Sequence, residues 1–200
     1  MNLSKMNPKH NTNKGEKLNV QPLRTNDEIN TAKYFLSRNL MGKRDVMLFL
    51  FGINTGLRAS DIIVRKAGEF RTTKKPMIIE RKTGKRRKLN LSNLSNQLDD
   101  YIADMRDDDY LFPSHKGINQ PITRNGVYQI FMKLGKEMDR KDLGTHTMRK
   151  TFGYHYYKRT HDLVTLMMIF NHSSQAITKR YIGITEDEID NALDKFSIGI

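Results

Sequence analysis

Residues 44–61 read RDVMLFLFGINTGLRASD. Val46, Leu48, Phe49, Leu50, Phe51 and Ile53 make a helix over about 44–54 apolar nearly all round, and such a helix belongs at the centre of a core rather than on its surface. Thr55-Gly56 ends it, because glycine takes the left-handed turn that stops a helix at little cost. Arg58 is the first charge after this apolar run. It marks either the exit of the chain into water or a cation held at the wall of a pocket. Residues 60–64 then read as another short helical turn.

Upstream, Thr25 and Glu28 are spaced as a capping box, which starts a helix running to about Ser37. Downstream, over 68–91, the apolar period shortens. Phe70, Met77-Ile78-Ile79 and Leu89-Asn90-Leu91 are three brief apolar runs separated by turn-forming residues. They predict a small antiparallel meander whose last turn is Lys82-Thr83-Gly84-Lys85. The helical period then returns, with Leu94, Leu98, Tyr101, Ile102 and Met105 on one face. A loop containing Pro113 and Pro121 leads to a helix over about 123–138. Further helices are expected at 146–159, 162–170, 174–181 and 186–196, the last opening on a second capping box, Thr185 with Glu188. The expected fold is mainly α with a small antiparallel β-sheet (α+β), one domain over 21–200. Residues 1–20, rich in Asn and Lys, read as a flexible basic tail.

Thirty-five Lys and Arg against 22 Asp and Glu give a net charge of +13. That balance suits a polyanionic partner, since each cation laid on a phosphate releases a condensed counterion. The chain has no cysteine, which excludes disulfides, thiolate metal sites and cysteine nucleophiles. It has no apolar run of membrane-spanning length, and its first residues lack the apolar stretch of a secretory signal. A cytoplasmic protein with no membrane partner is expected.

Besides Arg58, three short patterns carry chemistry. His146 and Arg149, three apart, share a helical face and point an imidazole and a guanidinium into one space. Arginine keeps its charge and offers a planar fork of donors that fits two phosphate oxygens. His172 falls between two expected helices, and Tyr181, nine residues on, closes the second. Alone, the histidine reads as a cap and the tyrosine as a packing residue beside Ile177 and Ile184. Finally, Arg81, Lys82, Lys85, Arg86, Arg87 and Lys88 crowd a single hairpin tip. The simplest reading of such a run is a solvated turn. Like charges repel, however, so a phosphate partner accounts for the run better.

Taken together, TGLRASD (55–61), RKTGKRRKLNLS (81–92), THTMRKTFGYH (145–155) and LMMIFNHSSQAITKRYIGI (166–184) resemble the catalytic domain of the tyrosine recombinases, the phage integrase family. The resemblance covers about residues 20–196. It implies a tyrosine recombinase catalytic-domain fold and a site-specific recombinase that cleaves and rejoins duplex DNA through a 3′-phosphotyrosine. In that mechanism Arg58 and Arg149 clamp the scissile phosphate, and Lys82 protonates the leaving 5′-oxygen. His146 and His172 bond phosphate oxygens or manage the proton of the nucleophile, and Tyr181 attacks. Lys85, Arg86, Arg87, Lys88, Arg124 and Lys150 are the expected DNA contacts. The implied partners are double-stranded DNA, further copies of the chain on that DNA, and accessory DNA-bending proteins.

The chain departs from the family pattern in three places. Asp61 stands where the family usually has Glu, so it is expected to brace Arg58 less directly. Phe170-Asn171-His172 replaces Leu-Gly-His, with Asn a residue that tolerates left-handed backbone. A clamp domain before the catalytic domain is not visible, so the expectation is a naturally minimal enzyme, a fragment, or an enzyme that works beside partner proteins, with Met1 and the capped start at Thr25 favouring the first. The segment with Ile189, Ala192, Leu193 and Phe196 on one stripe folds either onto its own domain or onto a neighbouring protomer.

The chemistry also follows without the family name. A phosphodiester resists attack because its charge repels nucleophiles and grows in the transition state, and fixed cations around phosphorus answer both difficulties. A phenol, with a pKa of about 10, needs cations or a base to become a nucleophile. No metal and no cofactor is expected, and no HExxH pattern occurs. A DNA-binding accessory protein without catalysis and a type IB topoisomerase-like relaxing enzyme are the alternatives. An RNA-binding use of the aromatic cluster at 152–157 is weaker, since helical spacing makes those rings core.

Overall fold

A computed structural model describes residues 19–184 together with 193, 194 and 196. Residues 1–18 of the expected tail over 1–20, and nearly all of the helix at 186–196, lie outside the described residues. Among the described residues, eight α-helices and one two-stranded antiparallel sheet make up the fold.

Helix α1 (Asn26–Ser37) begins with the expected capping box: Thr25 accepts from the backbone N–H of Glu28, whose carboxylate reaches back to the cap. Helix α2 (Gly42–Thr55) is the central element, burying Met47, Leu48, Phe49 and Phe51, and it ends at Gly56 with φ 62°. It crosses α6 (Thr147–Thr160) at close range. The crossing depends on Gly52, where a Cβ would lie 2.3 Å from the sulfur of Met148. Helix α3 (Ala59–Ile62) follows directly, so Arg58 sits on the short extended link between two helices.

The meander needs a correction. Phe70 lies in a 3-10 turn (Ala67–Phe70), not in a strand. The sheet is a ribbon of β1 (Met77–Ile79) and β2 (Arg86–Lys88), paired Met77 to Lys88, Ile78 to Arg87 and Ile79 to Arg86. The expected strand at Leu89–Leu91 is instead the exit from the ribbon. Pro76 and Lys74 still accept from Leu89 and Leu91, but both leucines turn into the core and stop the regular alternation. Only one face of a two-stranded ribbon can be covered here; Ile78 is buried while Met77 and Ile79 are exposed.

Helix α4 (Ser95–Ile102) buries Leu98 and Ile102, and the Tyr101 hydroxyl donates to the Leu111 carbonyl at 2.7 Å. Helix α5 (Arg124–Glu137) is capped by Thr123. A second, smaller cluster then forms on the far side of α6. Helices α7 (Leu163–Phe170) and α8 (Gln175–Ile182) bring Leu166, Phe170 and Ile182 against Phe152, Tyr156 and Tyr181. A strap at residues 21–24 binds this part of the molecule. The N–H of Leu23 donates to Thr151 Oγ1 (2.9 Å), His155 Nε2 donates to the Leu23 carbonyl (3.0 Å), and Arg24 donates to the carbonyl of Gly183 (2.8 Å), the residue that caps α8.

Gly153 sets how closely α7 and α8 approach α6. A Cβ there would fall 2.6 Å from Ile182 Cγ2 and 2.7 Å from the Phe170 ring. Gly153→Val should therefore lower the unfolding free energy by about 1–3 kcal/mol through overpacking. It should also displace Tyr181. A thermal melt unchanged from that of the parent chain would contradict this account.

Candidate active site

The site is built around Arg149 on the first turns of α6. Its side chain is buried, 2% exposed, and its guanidinium donates to the carbonyls of Gly56 (2.7 Å) and Phe170 (3.0 Å) while lying 4.3 Å over the Phe170 ring. One cation thus ties the end of α2 to the end of α7. Burial pulls its pKa down to about 10, so it remains charged near neutrality.

Tyr181 is carried by the last turn of α8. Its hydroxyl stands 3.1 Å from His146 Nδ1, and its ring lies 5.1 Å from that of His172 and 5.4 Å from that of Phe170. Burial raises the phenol's pKa, while Arg149 and Arg58 pull it back only in part. The resting phenol is therefore neutral. His146 is the N-cap of α6, open on one side, and His172 follows α7. Desolvation depresses both imidazoles, reinforced at His146 by Arg149, Lys150, Arg58 and Arg124, and at His172 by Arg149 and Arg58. A neutral imidazole beside a neutral phenol is arranged to receive its proton. His172 Nδ1 shares a hydrogen bond with the buried Thr178 hydroxyl (3.1 Å), which fixes the ring.

Arg58 lines a cleft of about 380 Å³ with Ser60, Arg81, Lys82, Arg124, Thr145 and His146. Four of these seven carry a fixed positive charge, which makes the cleft a binding place for an anion. Arg58 itself is held by Glu80 (2.9 Å). The expected brace, Asp61, has another use. It is fully buried, its Oδ1 accepts from the N–H of Arg81 (2.8 Å) and its Oδ2 has no partner. Asp61 therefore anchors the start of the hairpin turn and Glu80 orients the arginine. Glu80 was not singled out from the sequence, although it is the single acidic residue between Phe70 and Asp99.

The hairpin cations separate by side. Lys82 lines the cleft and has no side-chain partner among the described residues. Lys85, past the turn at Gly84, donates to the Asn171 side chain outside it. Arg86, Lys88 and Arg124 are exposed. Arg87 and Lys150, both expected on the DNA surface, turn inward. Arg87 donates to Glu80 (3.4 Å) and to the Thr55 carbonyl, and Lys150 is buried with its ammonium 5.3 Å over the Tyr181 ring.

The sequence profile described as "Phage integrase family" matches residues 24–188. The chain belongs to the phage integrase family. It is 44% identical over 170 residues to the probable integrase/recombinase YoeC of Bacillus subtilis (strain 168), an alignment covering 84% of this chain and 92% of that protein. It is 26% identical over 155 residues to the tyrosine recombinase XerC of Staphylococcus saprophyticus subsp. saprophyticus, covering 74% of this chain and 52% of that one. The chain thus spans nearly all of YoeC but about half of XerC. Among solved structures, XerA recombinase superposes with a TM-score of 0.67 at 18% identity, covering 90% of this chain and 65% of that one. The Tn1549 transposon integrase in complex with a circular intermediate DNA gives 0.66 at 17%, covering 91% and 67%. The fold is that of the tyrosine recombinase catalytic domain. Among the described residues no helix is long and apolar enough to cross a membrane, and no group of three His, Asp or Glu could hold a metal ion.

The depressed imidazoles give a pH dependence of stability. A histidine with a folded pKa below its unfolded value of about 6.5 binds fewer protons when folded, so stability rises with pH across that interval and is lost as pH falls through it. His146, His155 and His172 all shift this way, each chiefly through desolvation. The unfolding midpoint should drop between about pH 7.5 and 5.5, and His172→Asn should flatten part of that slope. A midpoint independent of pH over this interval would exclude the assignment.

Proposed function

We propose that the chain is a site-specific recombinase that cleaves and rejoins double-stranded DNA through a 3′-phosphotyrosine at Tyr181. The observation that carries this reading is the 3.1 Å approach of the Tyr181 hydroxyl to His146, beside a cleft walled by Arg58, Lys82 and Arg124. Family membership and the close likeness to YoeC support it.

In this mechanism the scissile phosphate enters the cleft against Arg58, with Arg149 holding charge beneath Tyr181. The phenol oxygen attacks phosphorus while its proton passes to His146. The bond from phosphorus to the 5′-oxygen breaks, and that oxygen takes a proton from the ammonium of Lys82. The phosphodiester energy is kept in the phosphotyrosine, so a 5′-hydroxyl can reverse the step without ATP or metal. His172, fixed by Thr178, hydrogen-bonds a phosphate oxygen. The fixed donors need no reorientation as charge builds in the transition state, which is where such arrangements accelerate a reaction. Arg86, Lys88 and Arg124 meet the DNA backbone. Arg87 and Lys150 act from within the site, as a tie and as local charge, and Lys85 acts from outside the cleft as a tie to Asn171. XerH has been solved on its difH substrate and lambda integrase as a dimer on a core site. Likewise, this chain is expected to work as several copies on DNA, with accessory bending proteins a further expectation.

The test uses a pool of randomised duplexes nicked on one strand, from which covalent protein–DNA adducts are recovered and sequenced. A defined sequence should emerge, and Tyr181→Phe should yield no adduct. Adduct that survives in Tyr181→Phe rejects the nucleophile, and relaxation of any plasmid without site dependence favours a topoisomerase. Binding to the selected duplex should weaken steeply with salt, and the logarithmic slope should fall by about one unit for each of Arg86→Ala and Lys88→Ala.

A further inference from the structure

We propose that Asn171 is a positioning residue for the hairpin that carries Lys82, acting through Lys85. This inference rests on the reading of Lys82 given above. Asn171 ends α7 in the left-handed conformation, φ 52°, and its backbone N–H returns to the carbonyl of Met168 at 3.2 Å. The side chain is left free of capping duty, and its Oδ1 accepts from the ammonium of Lys85.

The hairpin tip needs such a tie. The start of the turn is well held: Asp61 accepts from Arg81, Glu80 pairs with Arg58 and Arg87, and Arg87 reaches the Thr55 carbonyl. The turn closes on itself, with Gly84 donating to the Glu80 carbonyl at 2.8 Å. Thr83 donates to Glu80 at 3.3 Å, and beyond it the far side of the turn stands clear. A Cβ placed on Gly84 would meet nothing within 4 Å. Between the ribbon and α7 lies a cavity of about 340 Å³, lined on one side by Lys85, Arg86 and Arg87 and on the other by Thr165, Met168 and Asn171. Packing therefore does not hold the ribbon against α7 here. The Lys85–Asn171 contact bridges the gap.

Its position matters because Lys82 and Lys85 flank the same two-residue turn. With Lys85 fixed on the α7 side, Lys82 is directed to the cleft side, where it lines the wall with Arg58 and His146. Asn171 also lies between Phe170, whose carbonyl holds Arg149, and His172. The tie thus refers the proton donor to the same helix end that holds the phosphate-binding arginine. Without it the tip swings on its root, and Lys82 meets the leaving oxygen less often.

The test compares two forms of the selected duplex, one with the natural 5′-oxygen at the scissile bond and one with a bridging sulfur there. Attack by Tyr181 breaks the P–O bond in the first and the P–S bond in the second. The departing alkoxide requires a proton from Lys82; the thiolate leaves without one. Asn171→Gly keeps the left-handed backbone and removes the amide, while Lys85→Met removes the ammonium. Both should slow adduct formation on the oxygen substrate by roughly tenfold or more. Both should come within about twofold of the parent chain on the sulfur substrate, as Lys82→Met should. Full-rate cleavage of the oxygen substrate by either variant, or equal slowing on both substrates, overturns the tie. Failure of Lys82→Met to recover on sulfur instead overturns the proton-donor role, and the tie falls with it. Absence of any adduct from the parent chain overturns the function itself.

Discussion

The buried guanidinium of Arg149 is the constraint on which the site depends. A side chain this far from water keeps its charge only if its donors are met, and here two are met by main-chain carbonyls from different helices. Gly56 belongs to the stop that follows the central helix, two residues before Arg58. Phe170 belongs to the end of α7, two residues before His172. Satisfying one arginine therefore sets the spacing among three separate stretches of chain. The phosphate-facing groups inherit their geometry from that spacing, and an arginine with its donors already aimed has little reorganisation left when charge develops beside it.

Burial and charge act on Tyr181 in opposite directions, and burial wins in the resting state. Under the proposed mechanism this outcome keeps the nucleophile quiet until DNA arrives. Desolvation chiefly, and the neighbouring cations in addition, keep His146 and His172 deprotonated, and a phosphate entering the cleft offsets the cations' share. In the proposed mechanism their affinity for protons then rises at the moment when Tyr181 releases one. The substrate thus completes the acid–base machinery instead of meeting it ready-made.

Much of this was legible in the sequence because it is written in local signals. The Thr25–Glu28 cap, the apolar run closed by Gly56, and the spacing from His146 to Arg149 each depend on neighbours within a turn or two. What escaped was non-local. Glu80 is an ordinary strand residue until folding places it against Arg58, and Asp61 looked like that arginine's partner only because it is near in sequence. Arg87 and Lys150 were read as surface cations from their charge. Strand alternation turns Arg87 inward and the helical period turns Lys150 beneath Tyr181, and neither direction can be had from charge alone. The meander failed for a related reason. Leu89 and Leu91 have strand-like spacing, yet they are core anchors at the end of a ribbon whose strand is made of Arg86–Lys88.

The ribbon carries one more consequence. Two paired strands leave two unpaired edges, and Met77 and Ile79 add exposed apolar surface to them. Such edges invite pairing with the same edge of another copy, the first step of aggregation. Arg86 and Lys88 put two exposed cations on the strand that would otherwise be the template. Two such ribbons meeting edge to edge would bring those charges together and repel. The residues suited to a phosphate backbone therefore also keep free copies of the chain apart in its absence.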